Sequence, residues 1–225
     1  ADLGIRALIF ATIAGVFLGI IAALNHNRTW DTVAMIIAIL GVSLPAFIVG
    51  ALLQYGIGLQ LNQLWKWLLN DEYAMLIPTT GWDSWANKLV PPFALGISAL
   101  ASIARYMRTS MLDVLNQDYI KTAKAKGLTK TQVTVRHTIR NAILPVVTIL
   151  GPMTAAVLTG SFVIELIFAI PGLGKFFIQS IGQNDYTMIM GLTIFYATFL
   201  IFMNFVVDIL YGVIDPRIRL AKGKA

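Results

Sequence analysis

Long stretches with almost no charge recur along the whole chain, and they constrain its fold more than any other feature. A helix rises 1.5 Å per residue, so about 20 such residues cross the roughly 30 Å hydrocarbon core of a bilayer. Apolar residues make up 57% of the 225 residues and charged residues only 12%, more apolar surface than one water-soluble core can bury. The sequence therefore predicts an all-α, polytopic transmembrane helical bundle, with residues 1–225 forming a single membrane domain.

The hydrophobic runs divide the chain into five predicted membrane spans. These are Leu3–Leu24, Val33–Leu59, Leu89–Leu112, Ala142–Ile170 and Tyr186–Ile214. The third span carries Arg105 and Arg108 in its last turns, where each side chain must reach the headgroup region or face protein. The first residue is Ala1 rather than Met, which favours a trimmed or processed chain.

Charge in the connecting segments predicts the orientation. Residues 105–141 carry eight Lys or Arg against two Asp, and the tail from Asp215 carries four basic residues against one acid. Residues 60–88 carry two basic and three acidic residues and four of the five Trp. Because excess Lys and Arg collects on the cytoplasmic side and Trp prefers the interface, we expect a cytoplasmic C-terminus, an outer segment along the membrane, and Ala1 outside.

The long inner segment, residues 113–141, has more organisation than a solvated basic loop needs. Asp118–Lys126 is rich in helix formers, and Gly127 suits the left-handed residue that ends a helix. Thr129 and Gln132 have the spacing of a capping box that starts the next helix. Two short ordered helices in an inner loop favour a docking surface for another protein.

Few side chains suggest other chemistry. The chain has no Cys and no phosphate-binding loop of the Gly-x-x-x-x-Gly-Lys-Ser/Thr type, so disulfides, catalytic thiols and ATP binding of that kind are excluded. His26 and His137 are interpreted as surface histidines, and no metal site is predicted. Glu165 and Asp208 lie near span ends and are candidates for a pathway charge or a structural pair, such as Asp208 with Arg217. We favour structural pairing over a proton relay.

Four sequence blocks together point to a known family. They are DYIKTAKAKGL (118–128), RHTIRNAILPV (136–146), GSFVIELIFAIPGLG (160–174) and VIDPRIRL (213–220). The chain resembles, over essentially its whole length, the inner-membrane permeases of bacterial ABC importers, and especially the first permease subunit of the oligopeptide and dipeptide branch. Lys121, Thr122 and Ala123 stand where the general family motif has Glu-Ala-Ala, and Pro145 comes later than in that motif; both departures favour the peptide branch.

The resemblance implies a type I ABC importer permease fold, with six spans in full-length members and five here. It implies that the chain forms half of a peptide pathway and has no cofactor or catalysis of its own. The implied partners are a second permease subunit, two cytoplasmic ABC ATPases that bind ATP and Mg²⁺, an extracytoplasmic peptide-binding protein and membrane lipid, but no nucleic acid. The implied ATPase-coupling residues are Asp118, Lys121, Thr122, Ala123, Lys124, Ala125, Lys126, Gly127 and Leu128.

Three alternatives remain open at this stage. Nickel chelates or glutathione-like compounds are substrates of the same branch. A secondary transporter or channel would show inverted repeats or a midplane charge pair, and neither is found. An intramembrane enzyme would need paired catalytic residues at matching depth, whereas Glu165 and Asp208 are predicted at opposite ends of their spans.

Overall fold

The computed structural model describes the backbone of residues 2–72, 75, 77–78, 80–158 and 161–214; in the last range, side chains are described to residue 206 and at 209. The helices are α1 Asp2–Leu24, α2 Thr29–Ser43, α3 Ala46–Leu69, α4 Val90–Leu115, α5 Asp118–Ala125, α6 Lys130–Leu158, α7 Phe162–Ile167, α8 Leu173–Gln183 and α9 Tyr186–Ile214. No strand occurs in these ranges. The all-α bundle expected from the sequence is confirmed.

Helices α1 and α4 pack closely side by side at the centre of the bundle. A stripe of small residues, Ala7, Ala11, Gly15 and Gly19, recurs every four positions on the buried side of α1. A Cβ atom added at Gly15 would lie 2.8 Å from the Leu100 carbonyl oxygen. Small residues therefore let two membrane helices approach to backbone contact, where van der Waals packing replaces the hydrophobic effect as the source of association.

The second span is bent rather than straight. Thr29–Ser43 and Ala46–Leu69 meet at an angle of 107°, with Pro45 in the extended region at the break. Proline removes a backbone donor and disfavours helix in the residue before it, so α2 ends at Ser43. The predicted span Val33–Leu59 therefore corresponds to a bent pair of helices that begins at Thr29 and ends at Leu69.

The fourth span begins earlier and ends earlier than predicted. The helix is continuous from Lys130 to Leu158, and Phe162–Ile167 is a separate short helix. The predicted bounds Ala142–Ile170 are therefore wrong at both ends. The helix that the capping box at Thr129 predicts in the inner segment and the predicted span are one helix, because the backbone helix continues through the basic residues into the apolar run.

The candidate spans are four long apolar helices, α1, α4, α6 and α9, together with the bent pair α2 and α3. Counting the bent pair as one span gives the five that the sequence predicts. Helix α9 packs along α6 on one side and leaves most of its other apolar side chains exposed, including Met190, Ile194 and Phe202. An exposed apolar surface of this extent requires lipid or another membrane protein to cover it.

Candidate functional site

The inner segment between α4 and α6 folds as an ordered element. Its short helix α5 buries Ile120 and Ala123 against Val133 of α6, with Val114 and Leu128 packed around them. Ile120 is completely buried, and burying an aliphatic side chain of that size stabilises by about 1.5–3 kcal/mol. Helix α5 is therefore held against the first turns of α6 by a small apolar core of its own.

Gly127 and Thr129 set the angle between α5 and α6. Gly127 has a φ of 81°, and its N–H donates to the Lys124 carbonyl oxygen at 3.0 Å. The Gln132 N–H donates to the Thr129 hydroxyl at 3.3 Å, while the Thr129 N–H donates to the Gln132 side-chain oxygen at 2.9 Å. The helix stop and the capping box predicted from sequence are both confirmed.

The outward side of α5 is polar and mostly basic. It exposes Asp118, Lys121, Thr122, Lys124 and Ala125, and the adjacent Lys126 and Gly127 are exposed as well. The Lys121 ammonium lies 2.9 Å from the Asp118 carboxylate, but both side chains are largely in solvent, so this pair adds little stability. Ala123 lies instead on the packed side, where only 7% of it is exposed. The predicted residues thus divide into a presented surface and a packing surface.

A cavity of about 740 Å³ lies beside α5 on the same side of the bundle. Its lining combines Leu24 at the end of α1, Leu115 at the end of α4, Lys124 of α5 and Val133 of α6. Three membrane helices and the short helix therefore meet around one space.

A buried ion pair fixes the neighbouring inner loop. Arg108 of α4 donates from Nε to one Asp31 carboxylate oxygen at 2.6 Å and from Nη2 to the other at 2.7 Å. The Asn27 backbone N–H donates to Asp31 at 2.9 Å, and His26 Nδ1 lies 3.2 Å from the same carboxylate. Only 5% of the Asp31 side chain is exposed. This bidentate contact joins the start of α2 to the end of α4.

Sequence reasoning missed this cluster. It predicted that Arg108 must face water or protein, but did not name Asp31 as its partner, and it interpreted His26 as an ordinary surface residue. The prediction for His26 is incomplete, because the ring contacts both Asp31 and the Arg108 guanidinium. An acid two residues before a predicted span was the available signal, since an ionisable group at that depth usually has a partner.

The two other predicted charges have different outcomes. Glu165 of α7 is half-buried, and its Oε2 accepts a hydrogen bond from the Gly174 N–H at 2.7 Å, at the start of α8. A Cβ at Gly174 would lie 2.7 Å from the Phe162 Cα, so glycine is required for this close approach. The side chain of Asp208 and the whole of Arg217 lie outside the described residues. Within the described part of the chain, no group of three or more metal-ligating side chains occurs.

The comparisons with known proteins agree with this architecture. Residues 15–220 match the model of the family described as "Binding-protein-dependent transport system inner membrane component". This match covers most of the chain, so the protein belongs to that family and is a multi-pass inner-membrane permease subunit of an ABC importer. Its family is one of transport permease subunits.

Two curated relatives are similar to this chain over nearly its whole length. The chain is 48% identical over 223 residues to the dipeptide transport system permease protein DppB of Bacillus subtilis (strain 168), covering 98% of this chain and 68% of that protein. It is 40% identical over 217 residues to the glutathione transport system permease protein GsiC of Escherichia coli (strain K12), covering 96% and 67%. The chain therefore spans about two thirds of the length of these relatives.

A solved structure supports the fold independently. An inward-facing structure of the MetNI methionine ABC transporter superimposes with a TM-score of 0.70 at 14% sequence identity, covering 95% of this chain and 91% of the other. At this identity the likeness concerns the fold alone. It confirms the expected ABC importer permease fold.

Proposed function

We propose that this chain forms one half of a transmembrane pathway for short peptides and couples it, through residues 113–141, to ATP hydrolysis by partner subunits. The observation that carries this proposal is the ordered helix α5, which is packed on α6 and presents a basic surface away from the bundle. A membrane anchor alone would need neither a helix stop at Gly127 nor a capping box at Thr129.

The continuity of α6 gives the coupling a physical route. Helix α6 runs unbroken from Lys130 in the inner segment to Leu158 across the bundle. Ile120 and Ala123 of α5 pack on Val133 in the early turns of α6. Because close-packed side chains transmit displacement rather than absorb it, a push on the outward side of α5 moves the inner end of α6. The surface that receives this push comprises Asp118, Lys121, Thr122, Lys124, Ala125 and Lys126.

Peptides are the preferred substrate class. The relative with 48% identity carries a dipeptide transport name. Glutathione-like compounds are the second candidate, because the relative with 40% identity carries a glutathione transport name. Both names refer to small molecules with amide bonds, an ammonium group and a carboxylate. The same types of side chain along the pathway would therefore suit both substrate classes.

The proposed assembly contains a second permease subunit, two cytoplasmic ATPases and a binding protein outside the membrane. The exposed apolar side chains of α9 support the first of these partners, since a second membrane subunit would cover them. The basic outward side of α5 supports the second kind of partner, the cytoplasmic ATPases. ATP and Mg²⁺ belong to the ATPase subunits in this assembly, and the isolated chain is expected to show no ATP hydrolysis above background.

The proposed orientation places α5 and the C-terminus in the cytoplasm, and the start of α1 and the segment between α3 and α4 outside. It is tested by introducing single cysteines, which is direct because the chain has none. Asp83→Cys should react with a membrane-impermeant thiol reagent in intact cells, and Thr131→Cys only after the membrane is opened; both positions are exposed. The opposite labelling pattern would contradict the proposed orientation and would place α5 outside the cytoplasm.

The function itself is tested in proteoliposomes. The chain is reconstituted with its partner permease, ATPases and binding protein. Uptake of a labelled dipeptide is then measured with and without ATP on the side of the membrane where the ATPase subunits lie. We expect ATP-dependent accumulation of dipeptide that unlabelled dipeptide suppresses. Accumulation of glutathione but not dipeptide would select the second candidate, and uptake without ATP would reject an ATP-driven importer.

A further inference from the structure

A second cavity, of about 300 Å³, lies between α7, α8 and α9. Glu165 of α7 supplies its one acidic side chain, and its aromatic lining comes from Phe176 of α8 and from Phe195, Tyr196 and Phe199 of α9. Leu158, Pro171, Gly172 and Leu173 complete it. An acid facing a set of aromatic rings is a combination that favours a cationic guest.

The aromatic rings are held in place by one another. The Tyr196 ring is 5.7 Å from Phe195 and 4.8 Å from Phe162, both edge-on, and Phe195 stacks on Phe199 at 6.3 Å. Packed rings of this kind keep their faces and edges in fixed positions. A cation within about 6 Å of such a ring face is attracted by its negative charge distribution.

The Glu165 carboxylate has capacity to bind a cation in addition to its structural contact. Its Oε2 accepts from the Gly174 N–H, an arrangement that stabilises the start of α8. Among the ion pairs formed by the described residues, none includes Glu165. A half-buried carboxylate in this setting keeps an acceptor oxygen, Oε1, for a donor that enters the cavity.

The cavity lies along the length of a candidate membrane span, α9. Phe195 and Phe199 come nine and thirteen residues after the start of α9 at Tyr186. At 1.5 Å per residue this is roughly 14–20 Å along the helix, within the part of α9 that is apolar enough to span a membrane. The rest of α9 near this level is largely exposed in the isolated chain, so the cavity lies beside a surface that a second subunit would cover.

We propose that this cavity binds the N-terminal ammonium group of a peptide during translocation, with Glu165 as its carboxylate partner and the rings of Phe195, Tyr196 and Phe199 around it. The inference rests on the proposed peptide transport. The cavity is at the small end of ligand-sized pockets, so it takes the terminal residue and not the whole peptide. A low-affinity site with a charge partner holds the peptide in one orientation without retaining it.

The first test uses Glu165→Gln in the reconstituted transporter. The amide oxygen of glutamine still accepts from the Gly174 N–H, so the structural contact persists while the negative charge is lost. Glu72→Gln is the matched control, because Glu72 is the other glutamate of the chain and lies exposed outside the cavity. We expect dipeptide uptake to fall on the order of tenfold for Glu165→Gln, as for loss of a charged hydrogen bond, and to stay at the wild-type level for Glu72→Gln.

The second test leaves Glu165 in place. Leu173→Cys puts a thiol on the exposed rim of the cavity in a chain that otherwise lacks cysteine. Its reaction with N-ethylmaleimide is measured on the assembled permease and ATPase complex without binding protein. Millimolar Ala-Ala should slow this reaction, whereas N-acetyl-Ala-Ala should not, because its blocked amino group carries no charge.

The outcomes separate the two proposals. Equal uptake by wild type and Glu165→Gln, or equal protection by free and acetylated peptide, would overturn the ammonium site and leave peptide transport standing. Absence of dipeptide uptake by the wild-type complex would overturn both. If Glu165→Gln does not assemble, the protection experiment decides alone.

Discussion

Replacing Gly127 by valine should uncouple transport while leaving every membrane helix intact. Gly127 has a φ of 81°, and a Cβ added there would meet no atom within 4 Å. The added Cβ therefore meets no neighbour, and the effect expected of the substitution comes from the backbone conformation. This separates a change in the angle between α5 and α6 from a change in packing.

The size of the effect follows from that conformation. An L-residue in the left-handed region costs about 1 kcal/mol, and a β-branched one more, within a range of about 1–3 kcal/mol. A strain of about 2 kcal/mol is about as large as the stabilisation that burial of Ile120 gives to the packed position of α5. A free-energy change of that size shifts the equilibrium between the packed and unpacked positions about thirtyfold. Helix α5 should consequently leave its packed position in a large fraction of molecules.

Gly127→Asn is the matched control, because asparagine tolerates the left-handed region and also places its Cβ in open space. We expect Gly127→Val to insert and to pair with its partner permease, but to bind the ATPase subunits poorly and import little dipeptide. Gly127→Asn should import at close to the wild-type rate. Unimpaired uptake by Gly127→Val in a correctly assembled complex would refute a coupling role for the angle at this glycine.

Three further substitutions test the packing around the site. Asp31→Asn leaves the Arg108 guanidinium without its carboxylate and should cost about 2–4 kcal/mol, seen as a lower Tm in detergent; an unchanged Tm would mean the pair adds nothing. Ile120→Ala should cost about 2–4 kcal/mol locally and speed tryptic cleavage at the lysines of α5, and equal cleavage rates would argue against the small core. Gly15→Leu should separate α1 from α4 and lower the yield of monodisperse protein, an expectation that normal yield and Tm would contradict.

Local signals made α5 and its surroundings predictable from sequence. A helix stop, a cap and a capping box depend on residues within a few positions of one another, so Gly127, Thr129 and Gln132 carry the information in themselves. The number of spans was also predictable, because each depends on a continuous apolar run. The exposed and packed sides of α5 were not separated, because Ile120 is the one large aliphatic residue among its eight, and a single such residue defines no clear apolar stripe.

Contacts between distant parts of the chain could not be predicted in the same way. The pair of Asp31 and Arg108 joins positions 77 residues apart, and only the packing of α2 on α4 brings them together. The 107° bend after Ser43 depends on where α3 finds partners, namely Gly50 against Ile164 of α7, as much as on Pro45. Likewise Gly174 looks like part of a flexible loop in sequence, but in the fold it accommodates Glu165.

The central claim, that α5 receives the motion of an ATPase subunit, is tested most directly by site-specific crosslinking in the assembled importer. Ala125→Cys lies on the exposed side of α5, and Ala123→Cys lies two residues away on the packed side. Each is paired with a single cysteine in the ATPase subunit under oxidising conditions. The account predicts a disulfide from position 125 but not from 123, with uptake that stops on crosslinking and returns on reduction. Absence of a crosslink from position 125 in a complex that still imports peptide would contradict it.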